Sequence, residues 1–185
     1  METGSLPPDD PVLRQLRPEP GKRWSLIQTR PRHEKWTCAS LAAAGVTVYL
    51  PLLTKVETHH RSRRETKLPM FPGYLFGCAD PAEETTIRGS RCVWNLRRLS
   101  ELEEKQLLDD LKIVRLCEIE SAAHRMTVNP DLRSGDRVRI TSGAFKGQLA
   151  VVVRRVDALN VIINLDFLGR SIDISWEAGE LTLDD

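Results

Sequence analysis

The sequence has few of the residues from which most catalytic and metal sites are built. Its 185 residues include only four cysteines and four histidines, with no C-x-x-C pair and no histidine near a cysteine at a ligand spacing. It has no G-x-S-x-G motif, no phosphate-binding loop and no paired carboxylates of catalytic type. We therefore expect no enzymatic activity, no metal and no cofactor. Cys38, Cys78, Cys92 and Cys117 are expected to be reduced, buried thiols.

Long hydrophobic runs and a strong net charge are also missing. The longest mostly apolar run, 41–53, is interrupted by Gly45, Thr47 and Pro51, so no segment predicts a membrane span. The N-terminus lacks the basic flank and apolar stretch of a secretory signal, so we expect a cytoplasmic protein without membrane contact. The formal net charge is +1, but residues 21–120 hold 17 Lys and Arg against 13 Asp and Glu. Any contact with a polyanion is therefore expected in the first half of the chain.

Aromatic residues are scarce as well, yet three of them fall within residues 69–77, which read Pro-Met-Phe-Pro-Gly-Tyr-Leu-Phe-Gly. The two prolines fix φ and remove two donors, so no helix can run through this segment. Strand alternation would then place Tyr74 and Phe76 on one face and Leu75 on the other. The pattern fits an ordinary core strand and an aromatic surface offered to a partner about equally well.

The patterns on either side of this stretch predict one mixed domain. Residues 1–20 carry five prolines and few large apolar residues, which predicts a disordered tail. Residues 21–120 follow the order strand, helix, strands, helix, which predicts an α/β sandwich with an antiparallel sheet. Ser100 and Glu103 form a capping box at the start of the last helix. Its apolar residues Leu107, Leu111, Val114 and Cys117 follow at helical spacing.

Two basic segments of this domain could contact nucleic acid. Arg30, Arg32 and Lys35 gather at the predicted start of the first helix, where cations oppose the helix dipole. A polyanion bound there would remove that conflict, although solvated charges on a surface turn are the more frequent outcome. Residues 55–67 predict a projecting basic hairpin, for which the same two interpretations stay open. Adjacent histidines at its tip would point in opposite directions along a strand and do not indicate a metal site.

The last third of the chain changes character. Residues 121–132 show no clear periodicity and predict a linker. Residues 133–185 predict five short strands separated by turn residues, which is typical of a small β-barrel. Gly143, Phe145 and Gly147 lie in the turn after the first of these strands. The whole chain is therefore expected to be an α+β protein.

An alternating strand that enters a Gly-x-Phe-x-Gly turn at residues 135–147 resembles the KOW motif. Upstream, Trp24, the Thr-Arg-Pro-Arg-His-Glu-Lys run at 29–35 and the Phe-Pro-Gly-Tyr-Leu-Phe run at 71–76 resemble the N-terminal domain of the NusG family of transcription elongation factors. The resemblance covers residues 22 to about 183. The upstream runs make it specific, since ribosomal proteins also carry KOW motifs.

The resemblance implies a function by contact with RNA polymerase. Members of the family lay a concave apolar face on the clamp helices of the polymerase and suppress pausing. Here that face would be lined by Phe71, Tyr74 and Phe76, with Thr85 and Thr86 on a loop that reaches the opposite side of the DNA cleft. Contacts with the non-template DNA strand would be made by Arg30, Arg32, Lys35 and Arg91. In the barrel, a ribosomal protein or the termination factor Rho would be recruited by Phe167, Leu168 and Arg170.

The resemblance leaves the cellular role open. The 29–35 segment and the basic hairpin look more like the specialised antitermination paralogues of the RfaH, UpxY or LoaP type than like the housekeeping factor. We expect a monomer whose barrel stays a barrel, because its β-branched runs disfavour helix. A ribosome- or RNA-binding KOW protein is a further alternative, but residues 133–185 hold 7 Lys and Arg against 8 Asp and Glu. An enzyme is the least favoured class.

Overall fold

The computed structural model describes residues 10–59, 62–121, 125–129, 137–140, 149–155, 158–165, 170–176 and 183–184. Its four helices are α1 (Pro11–Gln15), α2 (Glu34–Ala43), α3 (Pro81–Gly89) and α4 (Glu101–Glu120). The strands of the first part of the chain are β1 (Arg23–Thr29), β2 (Thr47–Tyr49), β3 (Leu52–His59), β4 (Ser62–Pro69), β5 (Tyr74–Ala79) and β6 (Val93–Arg98). Those of the second part are β7 (Arg125–Asn129), β8 (Arg137–Ile140), β9 (Leu149–Arg155), β10 (Ala158–Leu165), β11 (Arg170–Trp176) and β12 (Leu183–Asp184). None of the described helices is long and apolar enough to cross a bilayer.

A four-stranded antiparallel sheet in the order β2-β5-β1-β6 forms the centre of the first domain. Leu75 of β5 and Ile27 of β1 belong to an apolar cluster with residues of α2 and α3. Phe76 of β5 and Trp24 of β1 belong to a second cluster with residues of α4. The prediction that Phe76 and Leu75 point to opposite faces of the sheet is therefore confirmed, and so is the α+β fold class.

Strands β3 and β4 pair over their whole length as a separate two-stranded ribbon. The backbone pairing runs from Leu52 opposite Pro69 to His59 opposite Ser62. The predicted projecting hairpin is thus confirmed. Lys55, Arg64 and Lys67 are exposed on it.

The helix predicted from the capping box is confirmed, and a second capped helix was missed. Ser100 caps α4 with the reciprocal bonds to Glu103 that define a capping box. Asp80 and Glu83 form the same arrangement at the start of α3, with a proline in the first turn. The prediction that Thr85 and Thr86 lie on a loop is therefore wrong, since both lie on α3. The reciprocal bonds satisfy free backbone N–H groups and stabilise the helix instead.

The expectation of a disordered tail over residues 1–20 is wrong for the part of it that the structure describes. Residues 10–20 are ordered, because Asp10 caps α1 and its carboxylate binds Arg115 of α4, with 2.8 Å between Oδ2 and Nη2. Leu16 is only 2% exposed and belongs to the same apolar cluster as Phe76. The indole of Trp24 donates to the carbonyl of Arg17 at 2.9 Å. These contacts tie the segment to the domain through side chains distant in sequence.

We expect Asp10→Ala to release this segment. The substitution removes a helix cap, which typically contributes about 1 kcal/mol, and the partner of a largely buried guanidinium. Because limited proteolysis follows the population of the open state, trypsin should cut after Arg14 about five times faster or more. Asp109→Ala on the exposed side of α4 serves as the control. Equally fast cleavage of the wild-type protein after Arg14 would show that this segment is already disordered, as the sequence predicted.

The second part of the chain forms a sheet in the order β12-β8-β9-β10-β11-β7, with every pair antiparallel. The predicted linker at 121–132 is wrong in its central part, since β7 pairs with β11 from Asn129 opposite Ser171 to Arg125 opposite Ser175. Ser121 at its start caps the end of α4 and donates to the carbonyl of Glu118. The five strands predicted for residues 133–185 are confirmed as β8 to β12, and β7 joins them as a sixth strand.

Candidate functional site

The aromatic run enters β5 through a tight turn. Gly73 has φ +82°, a left-handed conformation that glycine adopts without strain. Its N–H donates to Glu34 Oε1 at 2.7 Å, and its carbonyl accepts from Thr29 at 2.8 Å. The turn is closed by a bond from the Tyr74 N–H to the Phe71 carbonyl at 3.0 Å. Helix α2 and strand β1 thus fix the direction in which the rings leave the turn.

The rings are less exposed than the sequence suggested. Phe71 is 2% and Phe76 is 0% exposed, and their rings meet edge to face with 6.1 Å between centroids. Tyr74 is half-buried, and its hydroxyl accepts from Gln28 Nε2 at 3.1 Å. The expectation that Phe71, Tyr74 and Phe76 line an open apolar face is therefore wrong for Phe71 and Phe76 as the domains lie in this structure. Phe71 and Phe76 belong to the interior, and Tyr74 reaches its edge.

The cluster around these rings draws on both parts of the chain. Ile172 of β11 is completely buried and belongs to it, together with Leu16 of α1. Several side chains at its edge are only partly buried, namely Val12, Leu13, Leu26, Leu53, Tyr74 and Ile113. Opposite Leu53 in the ribbon lies Leu68, which is exposed. An apolar area on this side of the sheet is thus covered partly by the barrel and partly left open.

A polar network holds the ribbon and β2 against α4. Glu118 accepts from the hydroxyl of Tyr49 at 2.6 Å and from the backbone N–H of Leu52. Arg115 bridges Glu118 and Asp10. Burial raises the pKa of Tyr49 well above its usual value, and the negative charge of Glu118 adds a smaller effect in the same direction. The phenol therefore stays a hydrogen-bond donor. Sequence reasoning missed this network, because its members lie far apart along the chain.

The basic cluster lies at a different edge of the domain. The backbone N–H of Arg30 donates to the carbonyl of Cys92 at 2.9 Å, which brings the segment before α2 against the segment before β6. Residues 30–33 form a turn in which Arg32 has φ +66°, an uncommon value for a non-glycine residue. Helix α2 begins at Glu34, just after this turn, so the predicted start of the first helix among the basic residues is confirmed. Arg30, Arg32 and Arg91 are exposed together at this edge.

Two groups of predicted contact residues are already engaged within the domain. The ammonium of Lys35 donates to the carbonyl of Lys67 at 2.5 Å. Thr85 and Thr86 lie on α3, where their hydroxyls donate to the carbonyls of Pro81 and Ala82 at 3.1 and 3.4 Å. Both threonines remain exposed to solvent. A contact with another molecule would have to replace or share these bonds.

The predicted barrel sites are mostly outside the described residues. Gly143, Phe145, Gly147, Phe167 and Leu168 all lie outside them. Arg170 begins β11, where its backbone pairs with Leu165. The role of Phe167, Leu168 and Arg170 in binding a partner therefore stays a prediction.

All four cysteines lie within the described chain and are free thiols. Burial raises the pKa of Cys78 to about 12 and also raises the pKa values of Cys38 and Cys117. A thiol that stays protonated is a poor nucleophile. Cys78 and Cys117 are buried as predicted, whereas Cys38 and Cys92 are half-buried.

Trp94 is the most exposed of the large apolar residues in the described part of the chain, and sequence reasoning missed it. Five residues line an open hollow of about 690 Å³, namely Arg30, Pro31, His33, Val93 and Trp94. The indole of Trp94 is 79% exposed. The signal available from the sequence was an aromatic residue between Arg91 and Asn95 in a strand of alternating pattern.

The fold is that of a two-part chain in which an α+β domain precedes a small β-sheet domain. Residues 22–109 match the family described as transcription termination factor NusG, and residues 134–164 match the KOW motif. The two matches together span more than half of the chain, which belongs to the NusG family. This places the protein among transcription elongation factors, a class of non-enzymatic proteins. The family resemblance noted from the sequence is confirmed.

Two solved structures show a limited similarity to the chain. NusG of Thermotoga maritima, solved to describe its domain interaction, is similar with a TM-score of 0.45 at 20% identity, over 86% of this chain and 96% of that chain. The MjSpt4:Spt5 complex in conformation A is similar with a TM-score of 0.31 at 16% identity, over 88% of this chain and 98% of that chain. No curated protein gives a significant sequence match. The identification therefore rests on the two family matches.

Proposed function

We propose that the protein is a specialised antitermination factor that binds the clamp helices of RNA polymerase and the non-template DNA strand. The polymerase would dock on the apolar side of the sheet around Phe71, Tyr74 and Phe76. The observation that carries this proposal is the partly open apolar cluster, which includes the completely buried Ile172 of the barrel. An apolar area that a second domain covers only in part is a surface on which a larger partner can bind.

The arrangement of the rings assigns them different parts in this contact. Phe71 and Phe76 support the surface from within, because both are buried. Tyr74 and Leu68 would touch the polymerase directly, since they are half-buried and exposed respectively. Docking would also require Ile172 to leave the cluster, so the barrel would move away from the first domain. The exposed threonines of α3 would reach the opposite side of the cleft.

The contact with DNA would be made by Arg30, Arg32 and Arg91. The three side chains make no ion pair with any other residue that the structure describes, and they lie at one edge of the domain. Lys35 would contribute after giving up its bond to the Lys67 carbonyl. The basic ribbon of β3 and β4 supports the specialised role, since it would extend the basic surface. A ribosomal protein or Rho would bind Phe167, Leu168 and Arg170 of the barrel.

The experiment is a pull-down of the purified chain with core RNA polymerase. We expect Tyr74→Asp to weaken binding at least tenfold, because a charge buried in an apolar contact costs about 2 kcal/mol or more without a partner. Leu68→Asp should have a similar but smaller effect. Unchanged binding of both variants would refute this docking face.

A control variant and a transcription assay distinguish a loss of folding from a loss of the polymerase contact. Leu102→Asp changes an exposed apolar residue on α4, away from the proposed docking face, and should bind as the wild type does. A transcription assay on a template with a terminator then tests antitermination. Read-through that falls with Tyr74→Asp and not with Leu102→Asp supports the proposal, whereas increased termination by the wild-type protein would contradict it.

A further inference from the structure

The exposure of Trp94 is produced by the pairing of its strand. In the ladder between β1 and β6, Gln28 lies opposite Asn95 and Thr29 lies opposite Val93, so Trp94 is an extra residue on β6. An extra residue of this kind is a β-bulge, which turns its side chain away from the regular alternation. Strand β6 is an edge strand of the sheet. The bulge therefore aims a large ring out of the domain at a defined position.

The surroundings of the ring are cationic. Residues 30–36 and 91–95 contain four Lys and Arg and one carboxylate. That carboxylate, Glu34, is buried and accepts from the N–H of Gly73. No described carboxylate pairs with Arg30, Arg32 or Arg91. The local field therefore favours an anionic ligand.

A flat aromatic face beside unpaired arginines fits one class of ligand best. Unpaired bases stack on aromatic side chains, while their phosphates contact arginine and lysine. Bases in a duplex have their faces covered by neighbouring bases, so a double strand could offer only its phosphates. The hollow of about 690 Å³ beside the ring is open and has room for a ligand.

We propose that Trp94 is the stacking platform for an unpaired base of single-stranded DNA, whose phosphates are bound by Arg30 and Arg91. The turn supports this assignment, since Arg30 lines the hollow and its backbone N–H donates to the carbonyl of Cys92, the residue after Arg91. Pro31 and His33 form the other wall of the hollow. The inference deepens the proposed function and rests on it for the source of the strand, the non-template strand of the transcription bubble.

The test measures binding of the full chain to two labelled 12-nucleotide strands, oligo-dT and an abasic strand of the same length and charge. The wild-type protein should bind oligo-dT more tightly. Trp94→Ala should weaken binding to oligo-dT about 5- to 150-fold and leave the abasic strand unchanged, because only stacking is lost. Trp94→Phe should keep most of the preference. Leu102→Ala, which changes an exposed residue on α4, should behave as the wild type does.

The arginines have a different expected signature. Arg30→Ala and Arg91→Ala should weaken binding to both strands by similar factors and reduce the dependence of affinity on salt. An equal loss on both strands in Trp94→Ala would overturn the stacking role, and so would no loss on oligo-dT. Tighter binding of oligo-U than of oligo-dT would assign the site to RNA and overturn the DNA proposal.

The two proposals fail in different assays. The polymerase pull-down contains no oligonucleotide, so a chain that binds polymerase but shows no preference for bases over abasic sites refutes the stacking role alone. A chain that prefers oligo-dT but is not retained by polymerase refutes the proposed function and leaves the stacking site standing.

Discussion

Ile172→Asp should increase the affinity of the protein for RNA polymerase. Ile172 is 0% exposed and lies in the cluster that carries the proposed docking face. An aspartate there would bury a charge without a partner, which is costly enough to break the contact between the barrel and the first domain. Since burying an isoleucine contributes about 1.5–3 kcal/mol, the gain in affinity should be roughly 10- to 150-fold.

The increase should be accompanied by new apolar surface. A dye that fluoresces on apolar surface should bind the variant more strongly than the wild type. Ile172→Val is the matched control, because it removes one methylene, costs only about 0.5–1.5 kcal/mol and keeps the contact. Truncation after Ser121 separates the effect from unfolding of the barrel, since it removes the barrel altogether and should give the same gain. Wild-type affinity in both Ile172→Asp and the truncated chain would show that the barrel does not compete with the polymerase.

Capping and spacing rules were sufficient to predict an element whose structure is determined by its own residues. The capping box at Ser100 and the helical spacing from Leu107 to Cys117 predicted α4, and all four predicted apolar residues of its stripe are buried. The same rules would have predicted α3, because Asp80, the following proline and Glu83 stand at the cap, first and third positions of a helix. The loop predicted there was an error of interpretation and not a lack of signal.

Burial of the aromatic rings could not be predicted in the same way. Alternation correctly separated Phe76 from Leu75, but it says nothing of what lies over each face. The cluster that contains Phe76 also contains Leu16 and Ile172, which are distant from it in the sequence. The five prolines before residue 21 suggested disorder, whereas a cap and an ion pair with Arg115 hold residues 10–17 in place. Composition alone does not reveal such tertiary contacts.

The candidate nucleic-acid site was only partly predicted, because one of its residues is exposed through a contact between two strands. Arg30 and Arg32 were found from their position near a helix start, and the structure bonds the backbone of Arg30 to Cys92, the residue after Arg91. Trp94 was not found, because its exposure depends on the register between β1 and β6. A bulge is a property of two paired strands, and neither strand shows it alone.

Glu118→Ala should lower the free energy of unfolding of the first domain by about 3–5 kcal/mol. The carboxylate accepts bonds from the Tyr49 hydroxyl, the Leu52 N–H and Arg115. Alanine would leave the first two donors largely buried and without their acceptor, and each such loss costs about 1–3 kcal/mol. Urea unfolding followed by far-ultraviolet circular dichroism measures the change.

Two further variants identify the cause of this loss. Asp109→Ala removes a surface ion pair with Lys112 on the same helix, which should change stability by about 1 kcal/mol or less. Glu118→Gln should lie between alanine and the wild type, because the amide oxygen can still accept from one of the donors while the amide nitrogen cannot. If the free energies of unfolding of Glu118→Ala and the Asp109→Ala control differ by no more than about 1 kcal/mol, other contacts hold β2 and the ribbon against α4. A loss several times larger means that this one carboxylate fixes the ribbon beside the proposed docking face.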